Sequence, residues 1–224
     1  MNYMFTQCES THCRSVAPLQ DTPALKQTYQ ARIRVESKYQ AYMSGVRTLV
    51  EEDGDDTNFY FEQTIKIPSY LLALVVGDLE ERSLGARTSV ITEPVMLDDC
   101  AKELEDLELQ LTTAENYLTP YIWGTYTILV LPPSFPYGGM ENPLLTFASP
   151  TIIVGDKSQV YVATHEICHS WTGNDVTCEN WSNMWLNEGF TTFCERAVSS
   201  QLNSRDFGKT EAILGNYDML NDMQ

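Results

Sequence analysis

The chain has 224 residues, of which 43% are hydrophobic and 11% aromatic, and it carries a formal charge of -17. That apolar content suffices for a sizeable core and excludes a disordered chain. The acidic balance excludes a reader of nucleic-acid backbones, which needs a basic face, and describes an acidic solvated surface that also attracts cationic ligands.

The opening "MNYMFTQCES" has neither a basic start nor an apolar run, so no signal peptide is expected. Segments 24–37 and 58–68 alternate in polarity and are rich in Tyr, Val and Ile, which predicts strands. The acidic "EEDGDDTN" at 51–58 between them reads as a turn or loop. "YLLALVVG" at 70–77 reads as a buried strand and is too short to span a bilayer. A shift of composition near 78–80 marks the expected boundary between a β-rich part, 1–78, and a second part, 79–224. From about 97 the period lengthens: Cys100, Leu104, Leu107, Leu111, Ala114 and Leu118 describe one amphipathic helix ending near Pro120. A short strand, a proline-rich turn and a second extended segment follow in 126–147, then two helices, roughly 158–172 and 184–202. The tail "EAILGNYDMLNDMQ" reads as helix or loop without a stop signal, as in a piece of a longer protein. The six cysteines are scattered, which fits free thiols in a reducing compartment, and a cytoplasmic protein without a membrane span is the expectation.

Two of the three histidines stand in "HEICH", residues 165–169. On a helix His165 and His169 lie one turn apart on one face, so both imidazoles reach one ion. Glu166 projects about 100° round from His165, beside the metal but poorly aimed as a ligand, where it can take a proton from an activated water. Glu188 follows His169 after eighteen intervening residues, room for a turn and the start of a second helix, and supplies the third ligand. Two His and one Glu, with a position left for water, form a catalytic zinc set rather than a closed structural one. Phe190, Phe193, Ala197 and Val198 recur at helical spacing and are expected to form the packed face of that second helix. Glu195, one further heptad along, either receives the far nitrogen of a zinc histidine or pairs with Arg196 or Lys209. Cys178 and Cys194 are discounted as ligands, because thiolates would close the site. His12, flanked by Cys8 and Cys13, reads as a core strand histidine rather than a second metal site.

"HEICH" with Glu188 at that distance, together with "YGGMENP" at 137–143, resembles the gluzincin zinc aminopeptidases. "LVLPPSFPYGGMENP", "GDKS", "HEICHSWTGNDVT", "WLNEG" and "QCESTHCRSVAPLQDTP" are similar to the leukotriene-A(4) hydrolase and aminopeptidase B branch. The resemblance implies an α+β chain: the latter part of an all-β N-terminal domain, then the first half of a thermolysin-like zinc metallopeptidase domain. A C-terminal helical domain would lie outside this stretch, and the present residues would pack on it. The implied activity removes single residues from peptides with a free N-terminus and uses one Zn2+.

By the same resemblance, Pro136, Tyr137, Gly138, Gly139, Met140 and Glu141 would contact substrate, and so would Gln7, Cys8 and Glu9. The two glycines would let a peptide backbone approach as an added strand. Glu141 would face the substrate ammonium. The close branch usually has Gln where this chain has Glu9, so two carboxylates would face the amine, which favours peptides over a fatty-acid epoxide. An oxyanion-stabilising tyrosine is expected further downstream, because Tyr217 in "GNYDM" does not match its context. The competing readings are a bifunctional aminopeptidase and epoxide hydrolase, a zinc-binding form without activity, and an endopeptidase.

Overall fold

The computed structural model describes residues 3–223. In chain order its strands are β1 (Met4–Phe5), β2 (Lys26–Glu36), β3 (Gln40–Met43), β4 (Val46–Asp53), β5 (Asp56–Pro68), β6 (Leu74–Gly77), β7 (Glu80–Ser83), β8 (Thr88–Thr92), β9 (Tyr126–Val130), β10 (Gly139–Met140) and β11 (Thr146–Ala148). The helices are α1 (Leu97–Glu103), α2 (Leu107–Tyr117), α3 (Tyr161–His169), α4 (Met184–Leu202) and α5 (Arg205–Asp222). The expected α+β class is what the chain adopts.

Two antiparallel sheets, ordered β2-β5-β4 and β1-β6-β3, make up the residues before 78. Alternate residues of β2, Tyr29, Ala31, Ile33 and Val35, pack with Phe59 and Phe61 of β5 onto Ala41 and Met43 of β3. That is the period-2 pattern read in the sequence. The third sheet, ordered β10-β11-β9-β8-β7, is mixed, with β8, β9 and β11 parallel to one another and β7 and β10 antiparallel at its edges. β8 and β9 are buried along their whole length, and the principal core joins them to the buried faces of α1 to α4.

The structure corrects several local expectations. The acidic stretch 51–58 is no loop: β4 and β5 run through it as a hairpin, with Asp53 opposite Asp56 and only a two-residue turn. Gly54, at φ +68°, supplies the left-handed turn residue, and Arg34 neutralises the tip through Asp53 at 3.4 Å and Asp56 at 2.9 Å. The helix expected over 97–118 breaks at 104–106 while keeping its apolar face. Its acidic residues there turn to Lys157, whose backbone N–H reaches Glu103 at 2.8 Å and whose ammonium bridges Glu105 and Asp106 at 2.6 Å each. Within 70–77 the strand begins only at Leu74; Ser69–Leu71 is a 3-10 turn that directs Tyr70 inward. The helix expected over 158–172 spans only Tyr161–His169, whereas α4 covers the predicted 184–202. The open-ended tail is α5, capped by Ser204, whose Oγ accepts from Phe207 N–H at 3.1 Å.

His12 is not a core strand residue: it lies exposed in a turn before a 3-10 segment, closed by its own N–H donating to the Cys8 carbonyl at 2.9 Å. The inward face of α4 also differs from expectation. Phe190 and Phe193 are 58% and 66% exposed, while Asn187, Thr191, Cys194, Glu195 and Val198 are buried. The polar groups that serve the histidines require that face, and the phenylalanines are turned outward. Among the described residues, no helix is long and apolar enough to cross a membrane.

Candidate active site

α3 and α4 pack against each other, and α3 also lies against β10, so the paired histidines, the helix carrying Glu188 and the "YGGMEN" segment meet at one cleft of about 400 Å³. His165 and His169, one turn apart on α3, bring their Nε2 atoms within 3.0 Å of each other. Glu188 Oε2 lies 3.4 Å from the first and 3.5 Å from the second.

The far side of each ring is occupied. His165 Nδ1 is 2.9 Å from Glu195 Oε2, and a carboxylate only accepts, so Nδ1 carries the proton. Glu195 thus meets the far nitrogen of His165, and Lys209 pairs instead with Asp206 at 2.8 Å. His169 Nδ1 is 2.9 Å from the Thr172 carbonyl and 3.0 Å from Thr191 Oγ1. The Thr191 hydroxyl donates onward to Thr172 O at 2.8 Å. With Nδ1 so engaged, each imidazole in its neutral form would turn an Nε2 lone pair toward the same point, next to a carboxylate oxygen. Three acceptors converging at 3.0 to 3.5 Å are held only by a cation between them or by added protons. Those separations match the edge, about 3.3 Å, of a tetrahedron with zinc–ligand bonds near 2.0 Å. Two imidazoles and a carboxylate are also the donor set of an open zinc site, and neither Cys178 nor Cys194 belongs to it.

Protein charges alone already favour positive charge here. Burial lowers the pKa of His165, but hydrogen bonds to Glu188 and Glu195 outweigh it and raise the value to about 10. His169 is likewise pulled down by burial and lifted, chiefly by Glu141 and Glu188, to about 9. Burial pushes Glu188 upward, yet the two imidazoles hold it well below the carboxylate range.

Glu166 lies on the same turn, 6% exposed, with Oε2 unpartnered. Burial raises its pKa to about 7 against the opposing pull of both histidines. Gly139 explains how β10 passes so close: a Cβ there would overlap the Glu166 carboxylate, whereas one on Gly138 would meet only Val162 at 4.0 Å. At Gly139 the close approach is thus to the Glu166 carboxylate.

Glu141, 5% exposed, also points an unpartnered Oε1 into the cleft. Glu9 faces it, and burial together with Glu141, Glu188 and Glu166 pushes the Glu9 carboxyl up to about 8. Tyr137 lines the cleft at its open rim, half exposed, against Phe135. Other expected contact residues are not among those lining the cleft. Gln7 donates to Met140 Sδ at 3.1 Å, Cys8 and Met140 are buried, and neither Pro136 nor Gly138 is among the lining residues. Ser10 and Met184 do line the cleft and were not read from the sequence, since nothing in their local pattern sets them apart. Thr172 and Thr191 were missed for the same reason.

Residues 103–223 match the peptidase family M1 domain, and residues 1–71 match the peptidase M1 N-terminal domain. Leukotriene A-4 hydrolase of Xenopus laevis is 47% identical over 224 residues, 99% of this chain and 37% of that protein. Leucine aminopeptidase 2 of Aspergillus oryzae is 46% identical over 216 residues, 95% of this chain and 35% of that protein. Among solved structures, native yeast LTA4 hydrolase superposes with a TM-score of 0.91 at 43% identity, covering 98% of this chain and 34% of that one. An M1 zinc metallopeptidase from Deinococcus radiodurans gives 0.69 at 25% identity, over 89% of this chain and 46% of that one. The chain spans about a third of the length of the curated relatives it matches.

Proposed function

The chain belongs to peptidase family M1, and on that premise we propose that the full-length protein is a zinc-dependent aminopeptidase acting on peptides with a free N-terminus. The observation that carries this reading is the convergence of His165 Nε2, His169 Nε2 and Glu188 Oε2, each imidazole held by a partner on its other nitrogen.

One zinc ion held by those three side chains would supply Lewis acidity toward the scissile carbonyl and toward water. Glu166 takes the water's proton at its free Oε2 and passes it to the departing amine. Glu141 and Glu9 hold the substrate ammonium, whose charge offsets the repulsion that raises Glu9. Anchoring the terminus beside the catalytic base places the first peptide bond at the reacting centre. Tyr137 stands at the rim, where the first side chain enters.

We read residues 1–78 as the latter part of an N-terminal β domain and 79–224 as the first half of a thermolysin-like catalytic domain. The apolar outer face of α5, with Ile213, Leu214, Tyr217 and Leu220 all exposed, would pack on the remainder of the longer protein. Six buried free thiols support a reducing compartment, hence the cytoplasm.

Epoxide hydrolysis is the second reading, favoured by the likeness to a leukotriene A-4 hydrolase. Glu9 and Glu141 in the cleft weigh against it, since a fatty-acid carboxylate gains nothing there. Zinc content and arylamide hydrolysis, measured for the full-length protein and for Glu166→Gln, test the main reading. The variant should keep its metal and lose turnover; full turnover with metal retained would remove Glu166 as the base.

A further inference from the structure

We propose that Tyr70, from the β-rich N-terminal part, is a positioning residue that holds the metal ligands and the amine-binding strand in register through the loop 170–176. The proposal rests on the aminopeptidase reading above.

That loop leaves α3 directly after His169 and serves both ends of the cleft. Its Thr172 carbonyl fixes the His169 ring, and Asn174 Nδ2 donates to the backbone carbonyl of Glu141 at 2.7 Å. Gly173 runs so close beneath the histidine that a Cβ would stand 3.0 Å from His169 Nδ1. A shift of this loop therefore moves a metal ligand and an amine anchor together.

Tyr70 holds the loop from the opposite side. Its side chain is 1% exposed, and its hydroxyl donates to Gly173 O at 3.3 Å while accepting from Asn187 Nδ2 at 3.2 Å. Asn187 immediately precedes Glu188, and its Oδ1 takes the Cys178 N–H at 3.0 Å. One phenol thus touches the segment that follows His169 and the residue that precedes Glu188. Lys26 of β2 reinforces the grip, its ammonium donating to the Asn174 and Asp175 carbonyls at 2.9 and 2.7 Å. Thr177 is a second donor to Gly173 O, so losing the Tyr70 hydroxyl loosens the loop without releasing it.

A buried tyrosine that only fills the core is replaceable by phenylalanine, because the edge-to-face contact with Trp181, centroids 4.9 Å apart, survives. A positioning role is not. In the full-length protein, Tyr70→Phe should raise the zinc dissociation constant about tenfold, the range expected for partners outside the ligand shell. At saturating zinc it should raise KM for an aminoacyl arylamide severalfold, with kcat changed less. Lys26→Met, at a half-buried site that does not threaten folding, should move both values the same way by a smaller factor. If both variants keep wild-type zinc affinity and KM while Glu188→Ala loses its zinc, the positioning role is overturned and the metal reading stands. If Glu188→Ala itself keeps zinc, the metal reading fails and this proposal falls with it.

Discussion

The two ends of the cleft are built on opposite principles. At the histidine end every side chain has its partner: His165 is held by Glu195, His169 by Thr172 and Thr191, and Glu188 by the imidazoles themselves. At the end formed by Glu9 and Glu141 a polar atom is left without one, Glu141 Oε1 being buried and unpaired, as is Glu166 Oε2 between the two ends. Buried polar groups without partners are costly, so the chain stores at that end a demand that an incoming cation relieves. The histidine end is oriented in advance, and under the proposed reading a substrate ammonium would complete the other.

Four experiments break or sharpen that contrast. The largest effect belongs to Glu166, which stands between the two ends. Glu166→Gln should lower kcat by about 10³-fold, within the span of general-base catalysis, without loss of zinc. Next comes the unsatisfied end. Glu141→Gln removes a buried charge that the substrate ammonium pairs with and should cost about 100-fold in kcat/KM for free-amine arylamides, with little change for N-acetylated ones. At the satisfied end, Glu195→Ala should weaken zinc about 10- to 100-fold while leaving zinc-saturated KM close to wild type.

The smallest effect is a pH slope. His165 and His169 have pKa values raised to about 10 and 9 from 6.5, so the folded chain binds their protons more tightly than the unfolded one. In protein stripped by a chelator, that stabilisation is complete below pH 6.5 and is lost as pH rises through 9 and 10. Zinc needs the same nitrogens deprotonated, so the gain in Tm on adding zinc should grow as pH rises toward 9. Thermal melts with and without zinc between pH 6 and 10 would show the opposed slopes; parallel curves would detach the histidines from the metal.

The convergence of His165, His169 and Glu188 was readable in the sequence, because its logic is local: one helical turn separates the histidines, and Glu188 lies on the next helix. Glu195 could be weighed for the same reason, from its spacing along α4. What holds these groups was not readable. Tyr70 lies 103 residues from Gly173 and 117 from Asn187, and no periodicity reports a contact of that range. The face of α4 was misjudged because apolar spacing at Phe190 and Phe193 predicts burial, whereas the helix turns Thr191 and Glu195 inward to serve the histidines. The acidic 51–58 stretch hid a hairpin, since ladder hydrogen bonds form whatever the side chains, and Arg34 offsets the crowded charges. The interrupted helix at 104–106 kept its buried leucines in step, so the break left no mark on the pattern.

X-ray absorption at the zinc edge of the full-length protein reads the metal's neighbours directly. Two imidazole nitrogens with oxygen in the remaining positions, and a signal lost in Glu188→Ala, is the predicted result. A sulfur neighbour at about 2.3 Å, the zinc–thiolate distance, or an unchanged spectrum in that variant, contradicts the account.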